Sequence, residues 1–243
     1  MRRECLQRLL REHGRIVVAL SGGTDSAVLL AAAVKSGIEV AAVSVDTGLA
    51  PAGEMEAAAR TAEALGVEHT IIPIDMLAEE AVRTNAPERC YVCKRRMMEA
   101  IVEHAHRNGC AAVADGTHAD DDPADRPGVR ALHDLGVISP FARCGIGKAE
   151  ICALAREWSM PVRPSSSCLV TRLPFGTTVT PAILRRIDRA EAVLREAIPG
   201  RVRVRPEGGL ARIEVPAGYE ETAQALIPRI IEIGFEDATV EGQ

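Results

Sequence analysis

The stretch Arg15-Ile16-Val17-Val18-Ala19-Leu20-Ser21-Gly22-Gly23-Thr24-Asp25-Ser26 decides the reading of this chain. A short apolar run that stops at glycines predicts a buried strand over residues 15–20. The composition of residues 26–35 then predicts a helix. A strand that turns through glycines into a helix leaves backbone N–H groups pointing at whatever lies above the turn, and the helix N-terminus attracts anions there. Ser21 and Ser26 add hydroxyl donors. Asp25 would repel a phosphate unless a cation such as Mg²⁺ bridges the two. An isolated Gly-Gly turn in which Asp25 merely caps the helix is the plainer alternative. The position directly after the first apolar strand favours a phosphate loop. No Lys follows the glycines, so this is not the GxxxxGK[ST] loop of kinases and GTPases.

Working outward, strand and helix signals alternate over roughly the first half. Strands are expected at 39–45, 67–73 and 110–114, and helices at 53–65 and 88–108, the latter two stopped by Gly66 and Gly109. This alternation predicts an α/β fold, a doubly wound parallel sheet covered on both faces. Residues 115–128 are rich in Asp and Pro and read as a loop. Residues 148–158 read as a helix and residues 160–174 as irregular. Thr180 and Pro181 form a cap and first-turn pair for a helix to about 196. Alternating stretches at 201–205 and 210–215, with glycines between, read as a hairpin. A helix near 219–234 and a strand near 238–241 follow. Two domains are expected, a nucleotide-type domain over 1–177 and a small α+β domain over 178–243 for substrate binding or oligomerisation.

The chain has 243 residues, 47% hydrophobic and 26% charged, as expected of a globular protein. Aromatics are only 2%, so Ala, Val, Leu and Ile must fill the core. A net charge of -5 argues against a broad nucleic-acid surface. No apolar run is long enough for a bilayer. The N-terminal residues carry scattered charges and read as an amphipathic helix rather than a signal peptide, so a cytoplasmic protein is expected.

Seven cysteines without an export signal suggest thiols or metal ligands rather than a disulfide framework. Cys90 and Cys93 form a C-x-x-C, which alone fits a redox pair, half a zinc site or incidental thiols. Cys168 follows serines and precedes Arg172 by four residues. That is not a core environment, and a nearby cation favours the thiolate. Cys90, Cys93 and Cys168 together could hold a [4Fe–4S] cluster with one iron open to carry sulfide. Cys5, Cys110, Cys144 and Cys152 lie on apolar or helical stretches and read as buried structural residues.

The loop SGGTDS resembles the PP-loop of the ATP-pyrophosphatase superfamily, whose members split ATP between the α and β phosphates and attach AMP to an oxygen of the substrate. The resemblance implies a flavodoxin-like sheet and ATP bound by Ser21, Gly22, Gly23, Thr24, Asp25 and Ser26. It also implies adenine-side positions at Val45 and Asp46, and a second nucleotide-side segment at Gly116 and Thr117. Within that superfamily, RCYVCK, DGTHADD, RPGVRAL, SPFARCGIGKAEI, SSSCLVTRLPFGTTVTP and RVRVRPEGGLARIEV occur in the order found in the LarE-type sulfur-inserting enzymes of nickel-pincer cofactor synthesis.

This second resemblance implies that ATP and Mg²⁺ adenylylate a carboxylate of a pyridinium dicarboxylate mononucleotide, and that sulfur then displaces AMP. The sulfur comes either by way of a [4Fe–4S] cluster on Cys90, Cys93 and Cys168, or from Cys168 itself, which becomes dehydroalanine. It places Arg172, Arg203, Arg205 and Glu214 at the substrate, Arg203 and Arg205 sharing one face of a strand. Lys94 and Lys148 are candidate pyrophosphate-side cations. A homo-oligomer, commonly a hexamer, is also implied. Thr24 stands where an apolar residue is usual, and Glu207 where a His or similar polar residue is expected. A tRNA-thiolating relative is the competing reading, disfavoured by the charge balance and the lack of an RNA-binding extension.

Overall fold

The computed structural model describes residues 1–121, 128–164 and 166–242. Residues 122–127, part of the Asp- and Pro-rich stretch and of the RPGVRAL run, lie outside these, as does Ser165 of SSSCL. The chain divides into two units. The larger comprises Met1–Thr47, Gly53–Val82 and Pro87–Arg163, the smaller Gly48–Ala52, Arg83–Ala86 and Pro164–Gln243.

In the larger unit the order is α1 (Arg2–Arg11), β1 (Arg15–Ala19), α2 (Thr24–Lys35), β2 (Glu39–Asp46), α3 (Glu54–Ala64), β3 (His69–Pro73), a 3-10 turn (Met76–Ala78), and α4 (Glu80–Arg83), which ends at the first residue of an inserted piece of the smaller unit. Then come α5 (Arg89–Arg107), β4 (Ala112–Ala114), α6 (Gly128–Asp134), α7 (Pro140–Arg143) and α8 (Lys148–Glu157). The four strands are parallel, in the order β3-β2-β1-β4.

Alternate residues of β1 enter different cores, which is how period-two side chains must behave in a sheet covered on both sides. Ile16, Val18 and Leu20 pack with Val28 and Leu29 of α2, Ala58 and Ala62 of α3, and Ile151 and Leu154 of α8. Val17 and Ala19 pack instead with Met98, Ile101 and Ala105 of α5 and Leu132 of α6. The α/β parallel-sheet fold read from the sequence is therefore the fold observed.

The cysteine expectation needs a correction. Cys5 on α1 and Cys144 after α7 are joined by a disulfide across 139 residues of sequence. Both were expected as separate buried thiols. Each does lie against an apolar core, but only the tertiary arrangement brings α1 beside the turn after α7. Their Cα atoms stand 5.8 Å apart, within the span a disulfide bridges. Cys110 is buried as expected, and burial raises its thiol pKa.

The smaller unit holds a 3-10 turn (Leu169–Arg172), α9 (Pro181–Arg195), β5 (Arg203–Glu207), β6 (Leu210–Val215), α10 (Glu220–Glu232) and β7 (Asp237–Gly242). Thr180 caps α9 by accepting from the Ile183 N–H, with Pro181 in the first turn. β5 and β6 form an antiparallel hairpin closed at the Glu207–Leu210 pair, and Gly208 adopts the positive φ its turn requires. β7 joins β6 in parallel, so β5 is an edge strand, which tolerates Pro206. Val204, Ile213, Leu194, Ile227 and Ile230 form this unit's core. The sequence reading carried no helices at Gly128–Asp134 and Pro140–Arg143. These are short pieces that tertiary packing, not periodicity, stabilises.

Candidate functional site

The strand order places the first half of the site. From β1 the chain winds outward through β2 to β3, then returns to the other side of β1 as β4. In open α/β sheets, the crevice beyond the carboxyl ends of two such diverging strands is where ligands bind. SGGTDS leaves β1 at that point, and Asp115-Gly116-Thr117 leaves β4 beside it.

Ser26 organises the loop. Its Oγ accepts from the Ser21 N–H at 3.2 Å, lies 3.1 Å from Ser21 Oγ and donates to the Gly23 carbonyl at 3.2 Å. Gly22 has φ +83, and a Cβ there would stand 2.3 Å from the Glu54 carbonyl oxygen. Only glycine fits. Gly116 serves the same purpose from the other strand: a Cβ would come within 2.9 Å of the Ser26 nitrogen. Thr24, the residue out of pattern, has a purpose in the fold. Its hydroxyl accepts from the Arg163 N–H at 2.9 Å and donates to the Arg163 carbonyl at 3.3 Å. Arg163 in turn sends Nη1 to the Gly22 carbonyl at 3.0 Å and stands 3.5 Å from Glu54 Oε1.

Charged groups surround the loop. Lys148 Nζ donates to Asp25 Oδ1 at 2.5 Å, and the Lys148 N–H, at the start of α8, donates to Asp120. Asp115 is buried and accepts from the Thr117 hydroxyl, the Ser139 hydroxyl and Lys94 Nζ, so one carboxylate positions both Thr117 and Lys94. Val45 and Asp46 end β2, next to β1 in the sheet. Cys90 and Cys93 lie one turn apart on α5, the first exposed and the second half-buried, facing the same way. The aromatic ring between them is fixed to α6: Tyr91 stacks under the Arg130 guanidinium at 4.1 Å and donates to Asp134 at 2.9 Å.

The smaller unit gathers its own set. Arg172 is fully buried and forks onto Glu191, with Nε–Oε1 2.7 Å and Nη2–Oε2 2.9 Å. Glu191 also accepts from Arg195 Nη2 at 2.8 Å and from the Val204 N–H at 3.1 Å. Arg203, also buried, donates to the Val202 carbonyl and reaches Ser167 Oγ at 3.5 Å. Arg205 bonds Glu214 and sends Nη1 to the Thr171 carbonyl at 2.9 Å, and Arg212 holds the same Glu214 oxygen at 3.0 Å. Cys168, half-buried, opens the 3-10 turn. Thus Cys168, Arg172, Arg203, Arg205 and Glu214, read separately from sequence, belong to one hydrogen-bonded neighbourhood.

Two pKa shifts describe it. Burial alone would raise the Glu191 carboxyl, but the Arg172 fork, the Val204 N–H and Arg195 overcome it and hold the pKa below the ordinary range. Arg203 is pushed down to about 10, first by desolvation and then by the charge of Arg172.

The sequence reading missed Glu191, Arg163 and Asp115. Glu191 left a signal: it interrupts the apolar stripe Leu184, Ile187, Leu194 at helical spacing, where a carboxylate needs a buried cation. Among the described residues, neither unit gathers three or more His, Cys, Asp or Glu side chains into a metal site, and no helix is long and apolar enough to cross a membrane.

Comparison with known proteins places this arrangement. The family model of queuosine biosynthesis protein QueC matches residues 15–121, the segment from β1 through the Asp115-Gly116-Thr117 stretch after β4. An uncharacterised protein of Methanocaldococcus jannaschii is 33% identical over 94% of this chain and 90% of its own length. One from Synechocystis is 34% identical over 88% of this chain and 81% of its own. The pyridinium-3,5-bisthiocarboxylic acid mononucleotide synthase of Lactiplantibacillus plantarum is 33% identical over 85% of this chain and 76% of its own length. With a phosphate loop at the switch point and similarity running through both units, the chain belongs to the LarE-type family of PP-loop ATP pyrophosphatases.

Proposed function

We propose that this chain is an ATP-dependent sulfurtransferase that adenylylates a carboxylate of a pyridinium dicarboxylate mononucleotide and exchanges the AMP for sulfur. The carboxylate oxygen attacks the α-phosphorus of ATP and pyrophosphate leaves. Sulfide then attacks the acyl carbon, the C–O bond to AMP breaks, and a thiocarboxylate remains; if the Cys168 thiolate attacks instead, a thioester forms, and loss of the Cys168 Cα proton breaks its Cβ–S bond to leave the thiocarboxylate and dehydroalanine.

In this reading Ser21–Ser26 hold the phosphates through backbone N–H groups and hydroxyls, and Asp25 would hold a Mg²⁺ that offsets their charge. Val45, Asp46, Gly116 and Thr117 border the nucleoside, and Lys94 and Lys148 neutralise the departing pyrophosphate. Arg203 and Arg205 take the phosphate of the mononucleotide, with Glu214 setting the angle of Arg205 and Arg172 adding to the positive field.

The observation that carries the reading is the charge balance beside Cys168. One buried carboxylate, Glu191, faces Arg172 and Arg195, and Arg203 is buried next to them with its pKa already lowered to about 10. A desolvated guanidinium crowded by like charges is stabilised by an incoming anion, and Arg suits phosphate in fork geometry.

Thiolates are the ligands of iron–sulfur clusters, so Cys90, Cys93 and Cys168 are a chemically fitting set for a [4Fe–4S] cluster, which would supply sulfide through its open iron. Substrate binding belongs to the smaller unit, and the chain assembles as a homo-oligomer, which light scattering on the purified protein tests.

The deciding experiment incubates the anaerobically purified chain with ATP, Mg²⁺ and the mononucleotide. AMP release together with the mass change of oxygen-for-sulfur exchange supports the proposal. Iron-free protein that turns over once, with Cys168 recovered as dehydroalanine, assigns the sulfur to Cys168 and removes the cluster. AMP release without sulfur in the product overturns the sulfurtransferase reading.

A further inference from the structure

Arg172 makes more contacts than a substrate ligand would need. Its side chain has 0% exposure, and two of its three nitrogens are committed to Glu191, also at 0%. The third, Nη1, lies within hydrogen-bond distance of the Ser167 carbonyl (2.8 Å), Ser167 Oγ (2.9 Å), the Cys168 carbonyl (2.9 Å) and Thr171 Oγ1 (3.0 Å). Thr171 adds its own hydroxyl and N–H to the Cys168 carbonyl, at 2.8 and 3.1 Å. Every acceptor around Nη1 belongs to the turn that presents Cys168.

Glu191 is equally committed. Its four acceptor positions match four donors: Arg172 Nε and the Val204 N–H on Oε1, Arg172 Nη2 and Arg195 Nη2 on Oε2. Glu191 therefore ties helix α9, strand β5 and the Cys168 turn together through one carboxylate. A buried ion pair is a poor device for stability alone, because well-packed apolar side chains do as well. What the guanidinium offers, and neither Lys nor an apolar residue can, is a rigid fork at one end and a further donor pair at the other.

We propose that Glu191 is the positioning residue for Cys168: acting through Arg172, it fixes the Ser167–Cys168 carbonyls and so sets the direction in which the Cys168 thiol points. The proposal deepens the sulfur-transfer reading and rests on it for the purpose of the alignment. It also moves Arg172 from substrate contact to support, leaving Arg203 and Arg205 as the phosphate ligands.

The test uses the full chain and reads Cys168 directly. The rate of Cys168 alkylation by iodoacetamide is followed by peptide mass spectrometry across pH, with amide hydrogen exchange over residues 166–172. Glu191→Gln paired with Arg172→Met removes both charges but keeps an acceptor for the Val204 N–H. It is expected to fold, to leave ATP binding unchanged, and to shift the alkylation rate about tenfold with faster exchange in the turn, the size of one lost charge-assisted contact. If the pair fails to fold, Arg172→Lys, which keeps the charge without the fork, is read in the same way and is expected to show the same changes. Parental alkylation rate, pH profile and exchange in the folded variant overturn the proposal. Alkylation needs neither ATP nor substrate, so a parent enzyme that transfers no sulfur counts against the function and not against the clamp.

Discussion

Asp25 and Lys148, separated by 123 positions in sequence, meet in an ion pair of 2.5 Å at the start of helix α2. An acid beside a phosphate loop is repulsive unless cations offset it, and Lys148 supplies one positive charge there without metal. Asp25 would be the residue to hold a Mg²⁺ at this loop, where the cation would supply further positive charge against the phosphates. Replacing Asp25 by Ala is expected to lower AMP formation by at least about a hundredfold, the range seen when one preorganised electrostatic group is lost. Chromatographic assay of AMP reads this, and unchanged turnover removes Asp25 from the mechanism.

Gly116→Ala tests the junction of the phosphate loop with the segment that follows β4. The added Cβ meets the Ser26 nitrogen at 2.9 Å and the Asp25 carbonyl carbon at 3.1 Å, both backbone atoms of the phosphate loop. The loop must shift, and ATP affinity is expected to fall about tenfold while the fold survives. Calorimetric titration with ATP checks the first and circular dichroism the second.

Arg203→Ala should raise KM for the mononucleotide by about tenfold or more, as for a lost charge-assisted bond, and leave ATP affinity as it was. The reverse pattern, weakened ATP with an unchanged KM for the mononucleotide, counts against the phosphate assignment.

Cys168→Ala is expected to abolish the thiocarboxylate product while AMP is still formed, because the phosphate loop lies in a different unit of the chain. Loss of both activities would make Cys168 structural.

The larger unit carries a pH dependence of its own. Ser44 Oγ is buried, donates to the Leu20 carbonyl and lies 2.8 Å from His69 Nε2. Desolvation lowers the His69 pKa, so the neutral ring is the native form. The unfolded chain then binds the proton more tightly. Stability contributed by neutral His69 is present above the unfolded value of about 6.5 and declines as pH falls from there through the folded pKa. Melting temperatures at pH 7.5 and pH 5 should differ more for the parent than for His69→Gln; equal differences exclude His69 as the source.

Sequence made the larger unit legible because its signals are local. Residues 16–20 are uniformly apolar because β1 is covered on both faces, and glycines mark the two places where backbone approaches backbone. The smaller unit was readable as elements, since Thr180-Pro181 and the Gly208-Gly209 turn are local as well. Its chemistry was harder to see. Arg172, Arg203 and Arg205 could be pointed out, but Glu191, which holds Arg172 and Arg195, acts across 19 residues to Arg172 through a fully buried contact. Only a carboxylate out of place on an apolar stripe betrayed it. Arg163 left no such mark: its partner Thr24 stood out as an exception in the loop, with nothing nearby in sequence to explain it.

The Cys5–Cys144 bond closes the backbone between those residues into a covalent ring that contains all four parallel strands, the phosphate loop and the Gly116 segment. A protease that cuts once anywhere inside the ring separates nothing. The nicked chain keeps its mass under denaturing, non-reducing conditions and falls into two pieces only when a reductant opens the bridge.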